Sequence, residues 1–441
     1  MSRTSLYSRC VLVALAGIAT LASAEDETLT MPETITLEFA LQQADSSHPE
    51  LEQARAAIDL AESERLNAEA LTGTNVSIDA RVRYVEPSTS AADQSHDDSS
   101  ISLLASKNLY DFGRSAAAEQ AAAAVIQGEQ KNLIDARNQR RLEIMQRYFD
   151  TLLADLEYLR DNEDMATAFI RFDKARDRRE VGQLSDIEVL DAQNGYEQVR
   201  LRRYRSEASQ RSTRARLAFA MNLPNQLPAT LQAPELASLQ RELPDIELLQ
   251  EQARKNNPLL HAAKARIQAA QARVDEAHAT YNPVLSGEFE ASEYNRTFGS
   301  RDDVRVGLRL NIPLLSGGSD KALVAQQRAK LRLARASLTE QQWILEQAVL
   351  DTWLELGSLK AQMDQATAQL NYRELYLDQR RALYELETEA NLGDAMVQIS
   401  EAQRYMAETR FKTAMAWARL DALLGKPVYA QAPVATGEGK Q

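Results

Sequence analysis

Val304-Arg305-Val306-Gly307-Leu308-Arg309-Leu310-Asn311-Ile312 alternates apolar and polar residues without a break. Side chains of a β-strand point to opposite faces in turn, so this pattern predicts a strand with one greasy and one charged side. The alternation continues to Leu314. Three similar runs accompany it. Val76, Ile78, Ala80, Val82 and Tyr84 alternate with Ser77, Asp79, Arg81 and Arg83, and Ile101, Leu103, Ala105 and Leu109 form a second run. In a weaker run, Leu285, Phe289 and Ala291 stand against Ser286, Glu288, Glu290 and Ser292. Each is about 10 residues long, which is the length that crosses a bilayer as a tilted strand.

These strands come in pairs, and the pairs sit inside a duplication. Residues 37–111 and 246–316 share an order of helix, break, two strands and return to helix, at an offset of about 205 to 210 residues, far longer than the 20 to 50 of solenoid repeats. His48-Pro49-Glu50-Leu51 falls where Asn257-Pro258-Leu259-Leu260 falls, and Leu109 to Gly113 lines up with Leu314 to Gly318. Later, Ala192-Gln193 meets Ala402-Gln403, and Leu217 to Pro224 meets Leu420 to Pro427. The chain reads as two fused copies of one subdomain. The first spans 25–224, with a β-hairpin at 76–109 and a helical hairpin at 115–221. The second spans 245–427, with a β-hairpin at 284–314 and a helical hairpin at 320–424. Residues 225–244, with Pro228, Pro234 and Pro244, are expected to link them, and 428–441 to form a disordered tail.

Between the strands lie long amphipathic stretches. Leu142, Met145, Phe149, Leu152, Leu156, Leu159, Ala166 and Ile170 recur at 3,4 spacing, with Glu163 as the polar interruption, and Leu356, Met363, Leu370, Leu377 and Tyr384 recur every seventh residue. Such seams predict coiled-coil packing. Helices from Ser115 to Val181 and from Asp320 to Ala390 would each rise roughly 100 Å at 1.5 Å per residue. Turns containing Gly182 and Gly393 would return each rod as a shorter helix, Ser185 to Met221 and Ala395 to Leu424.

Composition narrows the setting. Arg3 and Arg9 precede an apolar run from Cys10 to Leu21, and Ala22-Ser23-Ala24 has the small-residue spacing of a signal-peptidase site, so residues 1–24 are expected to be an export signal. Cys10 is the only cysteine, which leaves the expected mature chain without disulfides or an acylated cysteine. Without Arg3 and Arg9, 51 − 2 = 49 basic residues face 64 acidic ones, a balance near −15. Nucleic acid is therefore not an expected partner. No later stretch of 18 residues is uniformly apolar, so any membrane crossing must use strands. Four strands are too few to close a barrel with a lumen, and lipid-facing sheets cannot keep open edges. Lipid exposure of Val76, Ile78, Val82, Val304, Val306, Leu308, Leu310 and Ile312 thus requires several copies. Three would supply twelve strands, with loops Pro87 to Ser100 and Asn295 to Asp303 facing the exterior.

The order of elements, Asn282-Pro283-Val284-Leu285 at a helix-to-strand junction, the run Leu308 to Gly318 and the run Val181 to Gln193 together resemble the TolC family of outer-membrane efflux and secretion channels, over nearly the whole chain after the signal. The resemblance implies a mainly α fold with a trimeric α-barrel of long hairpins and a 12-stranded transmembrane β-barrel. It also implies an outer-membrane location extending into the periplasm of a Gram-negative cell. The partners it implies are two further copies, a periplasmic adaptor (membrane fusion protein) and an inner-membrane ABC or RND-type transporter, besides outer-membrane lipid. In the family, acidic rings close the periplasmic tip. The matching positions here are Gln398, which lacks a charge, and Glu401, and the first repeat offers Glu188 and Asp191. The Gly393 to Met396 turn is one residue short of the family's length, which shifts Asp394. Carboxylates repeated by threefold symmetry would attract cations and repel one another by roughly 0.5 kcal/mol per pair at about 8 Å in water.

Catalytic chemistry is missing. His48, His96, His261 and His278 are scattered with no i, i+4 pair, and there is neither a phosphate-cradling glycine loop nor a Gly-x-Ser-x-Gly elbow. No cofactor is expected, and energy for transport would come from a partner. A soluble periplasmic coiled-coil scaffold or adaptor remains the alternative at this point.

Overall fold

The computed structural model describes residues 31–46, 48–296, 301–386 and 391–428, so the expected signal at 1–24 and the tail beyond Val428 lie outside the described residues. Both copies begin with the same capping chemistry. After β1 (Thr34–Ile35) and α1 (Leu37–Gln42), α2 (Pro49–Ala70) starts on proline, with His48 Nδ1 accepting from the Glu50 amide at 3.4 Å. Its counterpart α6 (Pro258–Ala279) has the same 22-residue length and also starts on proline, with Asn257 Oδ1 accepting from the Leu260 amide at 3.1 Å. Proline at the first helical position loses no hydrogen bond, and the preceding side chain satisfies a free amide.

Each helix leads into a hairpin of strands, β2 (Thr74–Arg81) with β3 (Ser100–Tyr110) and, later, β5 (Val284–Tyr294) with β6 (Val304–Asn311). A long rod follows each, α3 (Arg114–Glu180) and α7 (Ser319–Glu385), both of 67 residues. Ahead of each rod the chain turns through two residues of positive φ, Phe112 and Gly113 in the first copy, Gly317 and Gly318 in the second. The rods return as α4 (Asp186–Ala220) and α8 (Leu392–Leu423). Gly393 is therefore inside the first turn of α8 and not in the connecting turn expected from the sequence. A Cβ there would lie 2.7 Å from Thr167 Oγ1, so bare backbone at this position lets α8 approach α3.

Sheet and helices are arranged in the same order. The strands run β2-β3-β5-β6 in one antiparallel sheet. Next to it the helices run α2-α3-α6-α7, and beyond the middle of the rods α4-α3-α8-α7. The result is a wall one helix thick. Alanines set its spacing: Ala117, Ala118, Ala121 and Ala122 of α3 and Ala262, Ala265, Ala269 and Ala272 of α6 are buried. A Cβ on Gly128 would meet the Ala262 carbonyl and the Ala265 Cβ at 3.6 Å.

Apolar packing is thickest at mid-height. Residues 225–244 are more than a linker, because β4 (Thr230–Leu231) pairs in parallel with β1 and residues 237–240 form a 3₁₀ turn. The Tyr148 hydroxyl reaches the carbonyls of Ile35 (2.8 Å) and Gln232 (2.6 Å), tying that belt to α3. Beneath it Ile144, Met145, Phe149, Leu217 and Met221 are buried, and Phe149 stacks on Phe411 of α8 at 4.5 Å. Val428, expected at the start of the tail, is buried in this core. A second cluster joins α5 (Ile246–Asn256) to α7 and α8 through Leu249, Val349, Leu356 and Trp417. The expected seam therefore holds at Met145, Phe149, Leu152 and Leu356, while Leu159, Ala166, Ile170 and Tyr384, nearer the hairpin ends, are exposed. Those ends pair through charge instead.

Candidate membrane face and periplasmic tip

Residues paired across an antiparallel ladder share a face. The register aligns Val76, Ala105, Phe289 and Val306 in one row and Ile78, Leu103, Ala291 and Val304 in the next. Intervening rows are Asn75, Ser106, Glu288 and Gly307, and Ser77, Leu104, Glu290 and Arg305. One face is thus mainly apolar, broken by Thr74, Lys107 and Glu293, and the other is mainly polar, with Leu104 and Val284 as its aliphatic members. Across the polar face Arg309 meets Glu288 at 2.9 Å, Arg305 meets Glu290 at 3.5 Å, and the Ser292 hydroxyl donates to Ser102 at 2.8 Å. The apolar face is bare. Val306 is 75% exposed, Leu308 73% and Ile78 69%.

Two of the eight expected lipid-facing residues fall outside the strands. The first strand stops at Arg81, so Val82 and Tyr84 lie beyond it, Tyr84 keeping only an isolated bridge to Asp97. The fourth stops at Asn311, before Ile312 and Leu314, because Pro313 brings no amide to the ladder. Val76, Ile78, Val304, Val306, Leu308 and Leu310 are in the strands. Both edges of the sheet, β2 and β6, are unpaired. Since the four strands alternate in direction, β6 is antiparallel to β2, and the free edges of successive copies have compatible polarity.

At the far end of the rods the four candidate carboxylates take different positions. Glu188 closes a capping box, accepting from the Ser185 amide and hydroxyl at 2.7 Å each, and these hydrogen bonds hold its carboxyl below the usual range. Asp191, one turn further along α4, is exposed, and among the described residues no group is bonded to its carboxylate. Asp394, in the first turn of α8, pairs with Arg171 of α3. Glu401 accepts from Arg160 of α3 at 2.6 Å and Arg404 at 3.0 Å. Partial burial opposes its ionisation, but the bonds from Arg404 and Arg160 prevail and lower its pKa. Arg160 lies 180 − 160 = 20 residues before the end of α3, a rise of about 30 Å. The carboxylates therefore do not share one level, and symmetry would give each its own ring.

Sequence reading missed the ionic seam around them. Arg160 also contacts the buried Asp161 at 2.6 Å, Asp161 takes Arg202 of α4 at 3.3 Å, and Glu163 accepts from the Ser400 hydroxyl of α8. The one available signal was Glu163 itself, the polar break in an apolar seam. Among the described residues no group of His, Cys, Asp and Glu is placed to hold a metal, and no helix is long and apolar enough to cross a membrane.

A sheet with one apolar face, set on a wall of paired helical hairpins, is the architecture of several solved outer-membrane channels. A membrane protein from Pseudomonas aeruginosa superposes with a TM-score of 0.73 at 19% identity, covering 88% of this chain and 90% of that one. The outer membrane channel CmeC of Campylobacter jejuni gives 0.71 at 14% identity over 88% and 85% of the two chains. The outer membrane protein VceC of Vibrio cholerae gives 0.65 at 17% over 89% and 96%. In sequence, residues 249–426 match the family described as outer membrane efflux protein. Protein CyaE of Bordetella pertussis is 29% identical over 267 residues, 59% of this chain, and the match spans 54% of that relative, about half its length. Over residues 249–426 the chain is thus similar to outer membrane efflux proteins, and its fold is that of the TolC-like channels.

Proposed function

We propose that three copies close edge to edge into a passive exit duct, a twelve-stranded barrel through the outer membrane continued by a tube of helices through the periplasm. The observation that carries this is the open four-stranded sheet, apolar on one side, polar on the other and unpaired at both edges. Lipid against the apolar face and β6 of one copy against β2 of the next satisfy both features at once. The duct serves a tripartite efflux or type I secretion system, with a periplasmic adaptor and an inner-membrane ABC or RND-type transporter supplying the energy. The two repeats at 25–224 and 245–427 make equivalent halves of each copy's wall.

At the tip, Asp191 is the carboxylate free to line the bore, whereas Asp394 and Glu401 are neutralised by Arg171, Arg160 and Arg404. A ring of Asp191 would favour cations, and Asp191→Asn is expected to lower the cation-to-anion permeability ratio in planar bilayers.

The deciding experiment is extraction followed by mass measurement. Detergent should be needed for release, and native mass spectrometry should give three copies. Release of a monomer by osmotic shock alone would favour the soluble scaffold.

A further inference from the structure

A cleft of about 510 Å³ opens beside the mid-height belt, where the start of the first copy meets the end of the second. Its charged lining is mostly of one sign. Arg55 comes from α2, Arg137 and Arg141 from α3, and Lys426 from the turn after α8, against the single carboxylate of Asp45 in the 3₁₀ turn Gln43–Asp45. Four cations and one anion leave 4 − 1 = 3 positive charges. Backbone geometry fixes where the lysine emerges: Gly425 has φ 70, and the Lys426 amide donates to the Asp421 carbonyl at 2.8 Å, closing α8.

Several of these groups lack partners. Asn138 of α3 lines the same cleft and is only 5% exposed, yet among the described residues nothing is bonded to its side-chain amide. Buried donors of this kind are nearly always paired in folded proteins, and an acceptor in the cleft would satisfy it. Arg137 is weakly neutralised, because its Nε is buried without a hydrogen-bond partner and Asp45 Oδ1 is 3.8 Å away. Lys426 forms no ion pair among the described residues. Arg55, by contrast, is bonded to Glu52 on its own helix, and Arg141 meets Asp45 at 3.0 Å.

The duplication shows which of these charges the fold itself needs. At corresponding positions the second copy keeps the strong pair with its polarity reversed, Arg141 and Asp45 becoming Glu346 and Arg254 at 3.2 Å. That pair is structural. The surplus is not repeated, since Gln342, Trp343 and Leu223 stand at the positions corresponding to Arg137, Asn138 and Lys426. We propose that the cleft binds a polyvalent oxyanion, a phosphate or a polycarboxylate, with Arg137 and Lys426 supplying the charge and the Asn138 amide a neutral donor. Guanidinium groups present paired N–H donors that match the oxygens of carboxylates and phosphates, and the cleft is roomier than a monatomic ion requires. An oxyanion held there ties α2 and α3 to the end of α8, so binding stabilises the fold.

The full chain, purified in detergent, is titrated with inorganic phosphate and separately with citrate, chloride being adjusted to hold ionic strength constant. Saturable binding by calorimetry and a rising melting temperature are expected with at least one probe; phosphate alone would assign the site to phosphate groups, citrate alone to polycarboxylates. Arg137→Gln combined with Lys426→Leu, which copies the second repeat, should weaken binding at least about tenfold, as loss of charged hydrogen bonds does, and keep the anion-free melting temperature. Should that variant fail to fold, the unaltered chain decides. The bound anion should protect Arg137 from phenylglyoxal, whereas Arg419, whose side chain is similarly exposed at 46% against 44%, should keep its reactivity. Unchanged binding in the folded variant, equal protection of Arg419, or no saturable binding, as when a neighbouring copy's carboxylate fills the cleft, overturns the proposal.

Discussion

Glu401 lies between two guanidinium groups, one on its own helix and one on α3, and that position gives its titration a structural consequence. A carboxyl whose pKa is lowered by folding contributes stability that is present above its unfolded value and is lost as pH falls through the folded one. The α3–α8 seam should therefore loosen below about pH 4, the usual Glu range. Glu401→Gln should remove part of that acid sensitivity, as read by spin-label distances between α3 and α8 at pH 7 and pH 3.5. Gly393 makes a steric prediction. Gly393→Ala would force its methyl against Thr167 and should destabilise by about 1–3 kcal/mol, as overpacking does. Thr167→Ala should restore most of this in a double-mutant cycle of thermal melts. Little of it was legible beforehand: Glu401 is identifiable as an acid near the tip, but its two arginine partners come from the three-dimensional crossing of α3 and α8, and charged residues on long helices are too common for spacing to select them.

The strands were more legible than the tip because their signal is periodic and local. Alternation through Val304 to Leu310 specified the face that the register confirms. Strand ends were not specified, since Val82 and Ile312 continue the alternation while the ladder has already stopped at Arg81 and Asn311. A substitution pair follows from the two faces of β6. Val306→Arg puts a charge on the apolar side and should cost about 2–4 kcal/mol near a bilayer midplane, abolishing the heat-modifiable band on gels while leaving helical circular dichroism intact. Gly307→Ser lies on the polar side with nothing within 4 Å of its Cβ, and both readouts should stay unchanged.

At the scale of the molecule, the duplication was readable because both copies keep the same punctuation, a proline opening α2 and α6 and a positive-φ pair before α3 and α7. The mid-height belt was not, as β1 and β4 are two residues each and pair across nearly 200 positions. Tyr148 should show how much that belt contributes. Tyr148→Phe removes the one hydroxyl that the Ile35 and Gln232 carbonyls share, and as the Ile35 carbonyl keeps the Gln232 amide, it leaves one carbonyl short of a donor at a cost of about 1–3 kcal/mol; its melting temperature should fall without loss of assembly.

In the proposed ring, hydrogen bonding alone would not fix how many copies join. With an even number of alternating strands in each, a ring of two, three or four would zip equally well, every junction antiparallel. The radius must then be dictated lower down, by the wedge angle at which alanine-lined helices nestle, Gly128 against Ala262 and Ala265 among them. Swelling that contact with Gly128→Leu should splay the wedge and alter the stoichiometry seen by native mass spectrometry, making pore calibre a quantity set by missing methyl groups.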